Sequence, residues 1–454
     1  MNKIVLFLLL FLSPIFANEI EPIDLTMSWV GILVLVLFVV GYYFIATEEK
    51  YKIDKSVPAL FVGIISFLLI ALYYYINGLN IHSVHDESES VILEIAEIFF
   101  FLFVAMTYIE SLIHMGVFDR LKYNLITKGY TYRKLYWVTG FIAFFLSPIA
   151  DNLTTALILS TVLITIDKTR KDFLVPGAIN IVVAANAGGA WSPFGDITTL
   201  MAWTSGKGQF GDFLFLFPAS ILGYVVTAFL LSRVVPDIKP ENSFSSEAPK
   251  MLEGAKTVIV LGLVTVLSAI LSHQILDFPA MWGMMFGLVL LKMYSFTLNK
   301  KFGQEHFDVF KSMAKIENNT LMFFFGILAA VGALYFIGWL TLASIVYHPD
   351  ILGSTWSNIA VGFLSALVDN VPVMSAILKA NPDMNTSQWM LVTLTAGIGG
   401  SLISFGSAAG VGVMGKLHGI YTFGTHFRYA WIVLIGYVVS VSIWYLQFIV
   451  LGIH

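Results

Sequence analysis

The sequence predicts an all-α polytopic membrane protein made of two inverted-topology repeats, each with a re-entrant hairpin and a broken transmembrane helix. Three observations predict it. The chain is 58% hydrophobic and only 12% charged, with a mean hydropathy of +0.83, which does not fit a soluble domain. Two Asp-Asn pairs, Asp151-Asn152 and Asp369-Asn370, interrupt stretches that are otherwise apolar. The lysines and arginines of the connecting loops are distributed so that they assign a side of the bilayer to each loop.

The same composition excludes several classes. The net charge is -4, and there is no basic block of the kind that nucleic-acid binding needs. The chain has no cysteine, which removes disulfides, thiolate metal sites and cysteine nucleophiles. The many Phe, Tyr and Trp residues call for no cofactor, because lipid-facing and interfacial aromatics are expected in such a chain.

Residues 1–17 contain Lys3, an apolar run from Ile4 to Leu12, Pro14 and Ala17, in the manner of a secretory signal peptide cleaved after Ala17. An uncleaved signal anchor is the alternative, since Ile15 is large for the position before the cleavage site. Either way residues 18–27 fall outside the cytoplasm.

Apolar runs long enough to cross roughly 30 Å of hydrocarbon follow at 28–46, 57–76, 91–118, 210–232, 257–272, 279–297, 321–347 and 429–451. The stretches 135–166, 173–203, 351–378 and 388–415 are different. Each has a cluster of Gly, Pro, Ser, Thr or Asp in its middle, and each is too long for one ordinary helix and too short for two. Basic residues stand on both sides of 135–166: Arg120, Lys122, Lys128, Arg133 and Lys134 before it, Lys168, Arg170 and Lys171 after it. Both of its ends are then cytoplasmic. The stretch enters and leaves on one side as a hairpin with Asp151-Asn152 at its tip, whereas one helix kinked at Pro148 would put a basic cluster outside. A half-helix of about 15 residues rises roughly 22 Å, enough to bring the tip to mid-bilayer.

Carried along the chain, this parity puts Lys50, Lys52 and Lys55 inside and an acidic loop with Asp86, Glu87 and Glu89 outside. The polar linker 236–256, Lys300, Lys301, Lys311, Lys315, Lys416 and Arg428 fall inside; only Lys207 and Lys379 fall outside. The hairpin 351–378 is then entered from the opposite side to 135–166. Residues 188–195 (Gly-Gly-Ala-Trp-Ser-Pro-Phe-Gly) align without gaps on residues 399–406 (Gly-Gly-Ser-Leu-Ile-Ser-Phe-Gly). The expected organisation is a first repeat over 18–235, a cytoplasmic linker over 236–256 and a second repeat over 257–454.

Non-helical backbone at membrane depth is tolerated only where protein buries it or a wet cavity runs beside it, and in inverted-repeat transporters such breaks build the midplane binding site. The motifs at these breaks are residues 147–155 (Ser-Pro-Ile-Ala-Asp-Asn-Leu-Thr-Thr), residues 186–199 (Asn-Ala-Gly-Gly-Ala-Trp-Ser-Pro-Phe-Gly-Asp-Ile-Thr-Thr) and residues 369–372 (Asp-Asn-Val-Pro). With them the chain resembles the ion transporter superfamily, and within it the NhaD-type sodium/proton antiporters. The resemblance covers nearly all of the chain after the leader. It implies a homodimeric carrier in a bacterial inner membrane that exports Na⁺ or Li⁺ against H⁺ and serves pH homeostasis.

A sodium ion needs hard oxygens, and the breaks offer Asp151, Asn152, Thr154, Asn186, Ser192, Asp196, Thr198 and Thr199 in the first half and Asp369, Asn370, Ser404 and Ser407 in the second. Asp151, Asn152, Asp196 and Asp369 are the expected centre of Na⁺ binding. Burial disfavours an ionised carboxylate, so Na⁺ and H⁺ compete for the same oxygens. Glu97, three residues after Glu94, is read as a proton-access group or as a plain interfacial glutamate. Glu110 is expected to pair with Arg120 or Lys122. His82 and His85 belong to a solvated outer loop or form a metal or pH-sensing cluster. His114, His418 and His426 stand near the cytoplasmic ends of spans, and 305–319 reads as an amphipathic segment on the cytoplasmic interface.

Dicarboxylate and arsenite carriers share the superfamily layout, but the dicarboxylate ones place Ser-Asn-Thr at the tips, where this chain has aspartate. That fixed negative charge favours a cation. An intramembrane aspartyl enzyme has no need for paired Gly-rich breaks, and a channel differs by lacking proton coupling.

Overall fold

The computed structural model describes residues 24–240, 248–303 and 306–453, so the leader expected at 1–17 and part of the linker lie outside the described residues. Every regular element among them is helical, and nine helices are long and apolar enough to cross a membrane. The chain is a multi-pass membrane protein.

The first half runs through α1 (Trp29–Ala46), α2 (Ser56–Ile76), α3 (Ile81–His114), the amphipathic α4 (Val117–Thr127), α5 (Tyr132–Ala150), α6 (Asn152–Ile166), α7 (Lys171–Gly189), α8 (Ile197–Thr204) and α9 (Phe217–Ser232). The second runs through α10 (Ala255–Gln274), α11 (Ala280–Phe302), α12 (Asn318–Phe336), α13 (Gly353–Val368), α14 (Asn370–Ala380), α15 (Thr386–Gly399), α16 (Ala408–Lys416) and α17 (Ala430–Trp444). The peripheral helices α1 and α10 are each only 28% buried by protein, whereas α7 is 94% buried. Since α7 ends at the first glycine-rich break, that break is encased by the rest of the molecule.

The helix pairs α5/α6 and α13/α14 each fold back on themselves. Tyr132 at the start of α5 donates to Asp167 just past α6 (2.8 Å), a contact impossible for one continuous helix of that length. Burial opposes the charge of Asp167, but hydrogen bonds from Thr169 and Tyr132 hold its carboxyl below the usual carboxylate range. After the second pair the chain returns to the start of α13, where Gln388 of α15 donates to Thr355 (2.7 Å) and its carbonyl accepts from Asn358 (3.0 Å).

Close glycine contacts set how the halves meet. A Cβ on Gly223 of α9 would stand 2.6 Å from the Gly436 carbonyl of α17, and one on Gly436 would stand 2.7 Å from the Gly223 carbonyl. The two helices cross backbone to backbone at these two glycines.

Three local expectations are corrected. Asp86, Glu87 and Glu89 are not in a loop but in α3, which Asn80 caps through the His82 amide (3.1 Å) and which no glycine or proline interrupts before His114. At 34 residues this helix spans about 51 Å, more than the hydrocarbon layer. The run 321–347 is not one span: α12 ends at Phe336, Gly338 takes φ 94°, and the short helix Trp339–Ser344 follows. Glu110 does not take Arg120 or Lys122, because Lys122 stands 4.0 Å from Asp119 on its own helix and the Arg120 guanidinium reaches the Pro249 carbonyl (3.4 Å). Between α11 and α12 the described residues of 305–319 include the single-turn helix Val309–Met313, tied to α11 by Ser295 and Asn299, which both donate to the Phe307 carbonyl.

Candidate functional site

Both Asp-Asn pairs sit where a helix stops and restarts, and both aspartates have the same rare backbone. Asp151 takes φ 55°, ψ 164° and Asp369 takes φ 68°, ψ 148°, a region that costs a non-glycine residue about 1–3 kcal/mol. Keeping aspartate there points to a use for the side chain. Asp151→Gly is expected to be more stable than Asp151→Ala by about 1 kcal/mol or more, read as a higher melting temperature in detergent.

At each break the side chain before the helix caps it. Asp151 accepts from the Thr154 amide and hydroxyl (both 2.8 Å), Asp369 from the Asn370 amide (2.8 Å), Asp196 from the Thr198 amide (3.3 Å) and Ser407 from the Gly410 amide (3.3 Å). The four helices α6, α14, α8 and α16 thus start at the breaks with their N-terminal dipoles met by the protein's own oxygens, three of them carboxylates.

The side chains then link across the halves. Asn152 donates to the Asn186 oxygen (3.1 Å), and the Asn186 amide donates to Ser401 (2.8 Å) and Ser407 (2.9 Å). Asn370 donates to Asp196 (2.8 Å). Asp196 is 4% and Asp369 8% exposed, and Asp196 lies within electrostatic reach of both Asp369 and Asp151. The arrangement is two linked clusters: Asn152, Asn186, Ser401 and Ser407 in one, Asp196, Asn370 and Asp369 in the other, with Asp151 on Thr154 beside them. Among the described residues no three acidic or imidazole groups converge as a ready metal cage, so any cation here draws on amide, hydroxyl and carbonyl oxygens as well. Two of the expected ligands, Thr198 and Ser404, have buried hydroxyls without a partner, and so has Thr155. Buried polar groups are normally satisfied, so these oxygens are free to meet an ion. Thr199 is spent on the carbonyls of Ser192 (2.8 Å) and Asp196 (2.6 Å), and Ser192 on that of Pro148 (3.3 Å). These two brace the break rather than face the clusters.

Sequence reading missed Ser401, which binds Asn186 although it stands inside the aligned glycine motif, and it placed His426 only near the cytoplasmic end of a span. This histidine is fully buried, its ring nitrogens facing the Tyr421 hydroxyl (2.7 Å) and the Ser401 carbonyl (3.1 Å). It stands in the single-turn helix Phe423–Phe427, and its burial could not be read from a lone histidine in the sequence. Glu97 is half-buried on α3, within electrostatic reach of His273 and Glu94. His82 and His85 are exposed, and His85 pairs with Glu89 (3.3 Å).

Two cavities reach this region from the face that carries the basic loops. One of about 360 Å³ is lined by Thr154, Glu110, Glu317 and Lys416; a narrow one of about 90 Å³ is lined by Asp369, Lys55 and Glu48. On the opposite face a cavity of about 980 Å³ lies among Lys207, His273 and Asn385 and ends on Trp203 and Met390, with no site aspartate in its wall.

The citrate transporter family model matches residues 20–397. The chain is 41% identical to the Na⁺/H⁺ antiporter NhaD of Vibrio cholerae, over 93% of this chain and 92% of that protein. It is 40% identical to NhaD of Alkalimonas amylolytica, over 96% and 94%. Sodium/proton antiporter 1 of Arabidopsis thaliana is more distant, at 29% identity over 86% of this chain and 68% of its own length. Matched over most of its length by the family model and by these relatives, the chain belongs to the citrate transporter family, and within it to the NhaD-type antiporters.

Proposed function

We propose that the protein is a secondary antiporter that exports Na⁺ or Li⁺ in exchange for H⁺, with the ion held between the two clusters and the site exposed to one side at a time. The carrying observation is the capping pattern. In an anion carrier the N-terminal ends of broken helices are left open to attract the substrate. Here Asp151, Asp369 and Asp196 occupy three of them, so the positive ends are quenched and a net negative charge remains for a cation. The relatives' names agree with this reading, and no cofactor enters it.

Internal symmetry supports the inverted-repeat organisation. Ser147 donates to the Ala185 carbonyl (2.6 Å) as Ser365 does to that of Ala396 (2.7 Å). Each serine stands four residues before its tip aspartate, and Ala185 and Ala396 each stand three before the aligned glycines. Under the same alignment Asn186 with Ser407 corresponds to Gly397 with Asp196. A Cβ on Gly397 would stand 3.7 Å from the Asp196 carboxylate, so the two clusters occupy equivalent places but only one carries the charge. Sodium and proton compete there, and Glu97 with His273 offers a proton route from the opposite face. Insertion in a bacterial inner membrane and assembly as a homodimer complete the reading.

The test is dye dequenching in everted vesicles from antiporter-deficient cells, adding Na⁺, Li⁺, K⁺ and a dicarboxylate in turn. Na⁺ and Li⁺ are expected to release protons, and Asp151→Asn to abolish the response. A signal with the dicarboxylate alone would refute the cation assignment.

A further inference from the structure

His426 is a buried polar residue to which the exchange site, as described, gives no part. It is the fourth residue of the single-turn helix Phe423–Phe427, between α16 and α17, where the Thr425 hydroxyl accepts from the Thr422 amide (2.8 Å) as part of a capping box. Phe423, the first residue of that helix, meets Phe405 of the second glycine-rich break with ring centroids 5.5 Å apart, and both rings line the narrow cavity that ends on Asp369. The Ser401 carbonyl can only accept, so in the neutral imidazole Nε2 carries the proton toward it (3.1 Å) and Nδ1 accepts from the Tyr421 hydroxyl (2.7 Å).

The first half holds a matching helix with a different residue at this place. Phe210–Leu214, just before α9, is also five residues long and also opens on a capping box, in which Asp212 accepts from the Gln209 amide (2.7 Å). Its first residue, Phe210, meets Phe194 of the first break (6.1 Å). Its fourth residue is Phe213, as fully buried as His426. The carbonyls of both fourth residues accept from the amide three residues on, Leu216 in one half (3.0 Å) and Tyr429 in the other (2.8 Å). A hydrocarbon ring therefore meets the packing at this position, and an imidazole adds two polar atoms that burial makes costly unless both are bonded. The breaks differ in step with it: residue 190 is alanine, whereas its aligned counterpart is Ser401. The Ser401 hydroxyl accepts from the Asn186 amide (2.8 Å), and the Asn186 oxygen accepts from Asn152 (3.1 Å).

We propose, resting on the antiport and repeat readings above, that His426 is a positioning residue for the ion site: by holding the Ser401 carbonyl it fixes the Ser401 hydroxyl on Asn186, and with it the side-chain relay from the second break to the first hairpin tip. Without that bond the break turns freely at Ser401, Asn186 loses one of its two hydroxyl acceptors, and the oxygens of the cluster no longer stand at the spacing a small cation needs.

The test compares His426→Phe, which copies the first half, with His426→Asn, which reaches only as far as Nδ1 and keeps Tyr421, and His426→Gln, which reaches the place of Nε2 and keeps Ser401. Half-saturating Na⁺ is read from dye dequenching in everted vesicles and, independently of transport, from the Na⁺-dependent rise in melting temperature in detergent. The Phe and Asn variants are expected to raise it by about tenfold, and Gln to restore the parental value. In a Ser401→Ala background His426→Asn is expected to add nothing, because both changes remove one interaction. A merely structural histidine would instead lower the melting temperature and the maximal rate at unchanged half-saturating Na⁺. That result would overturn the proposal, as would Gln behaving like Asn, or Asn and Ser401→Ala multiplying to about a hundredfold. Variants that shift Na⁺ binding in a protein with no sodium-driven proton flux would overturn the antiport reading and leave the positioning role standing.

Discussion

Asp196→Asn is expected to reduce sodium-driven proton movement to background while the protein folds and inserts normally. The substitution is isosteric. An asparagine oxygen still accepts from the Thr198 amide as Oδ1 does now, although the bond that Oδ2 accepts from Asn370 is lost, and asparagine caps a helix about as well as aspartate. What disappears is the charge and the titratable proton, in the cluster where the internal alignment puts the only carboxylate facing a glycine. Asp196 also has no exposed route of its own, being 4% exposed, so its charge has no structural use that solvent could replace. Dye dequenching in everted vesicles gives the rate and the melting temperature in detergent gives the fold. Exchange at the parental rate with an unchanged melting temperature would remove Asp196 from the ion site.

The second large effect concerns stability. Gly188→Ala and Gly399→Ala are each expected to destabilise the protein by about 1–3 kcal/mol, and the pair together to prevent recovery of folded protein. A Cβ on Gly188 would lie 2.2 Å from the Phe144 carbonyl, and one on Gly399 would lie 2.3 Å from the Gly362 carbonyl. In both cases the obstacle is backbone, which cannot rotate aside as a side chain could, so the helix approaching the break must move bodily off the hairpin. Gly415→Ala is the control. Nothing stands within 4 Å of that position, and alanine in a helix gains about 1 kcal/mol over glycine. Melting temperatures should fall for the first two and hold or rise for the third. Equal behaviour of all three would mean that the breaks and hairpins are not packed backbone to backbone.

The amino-acid sequence by itself determined the class, most of the spans and the breaks at the two Asp-Asn pairs and the two glycine-rich motifs, because each of these is a local property. Hydrocarbon selects long apolar runs regardless of neighbours, and Asp, Gly and Pro in such runs interrupt a helix wherever they occur. Asp151, Asp196 and Asp369 were visible for that reason, as was the match of residues 188–195 to 399–406. Helix length at α3 was less legible, since the charges of Asp86, Glu87 and Glu89 resemble a loop until a capped, uninterrupted helix is seen to carry them beyond the membrane. Tertiary structure alone decided which oxygens meet. Asn186 reaches Ser401 and Asn370 reaches Asp196 across more than 170 residues of chain, and no periodicity records such a pairing. It also buried His426 and Glu87 and joined Lys379 to Glu94. Burial and partnership of a polar side chain depend on what other segments fold against it, and a linear pattern contains the residue but not its neighbour.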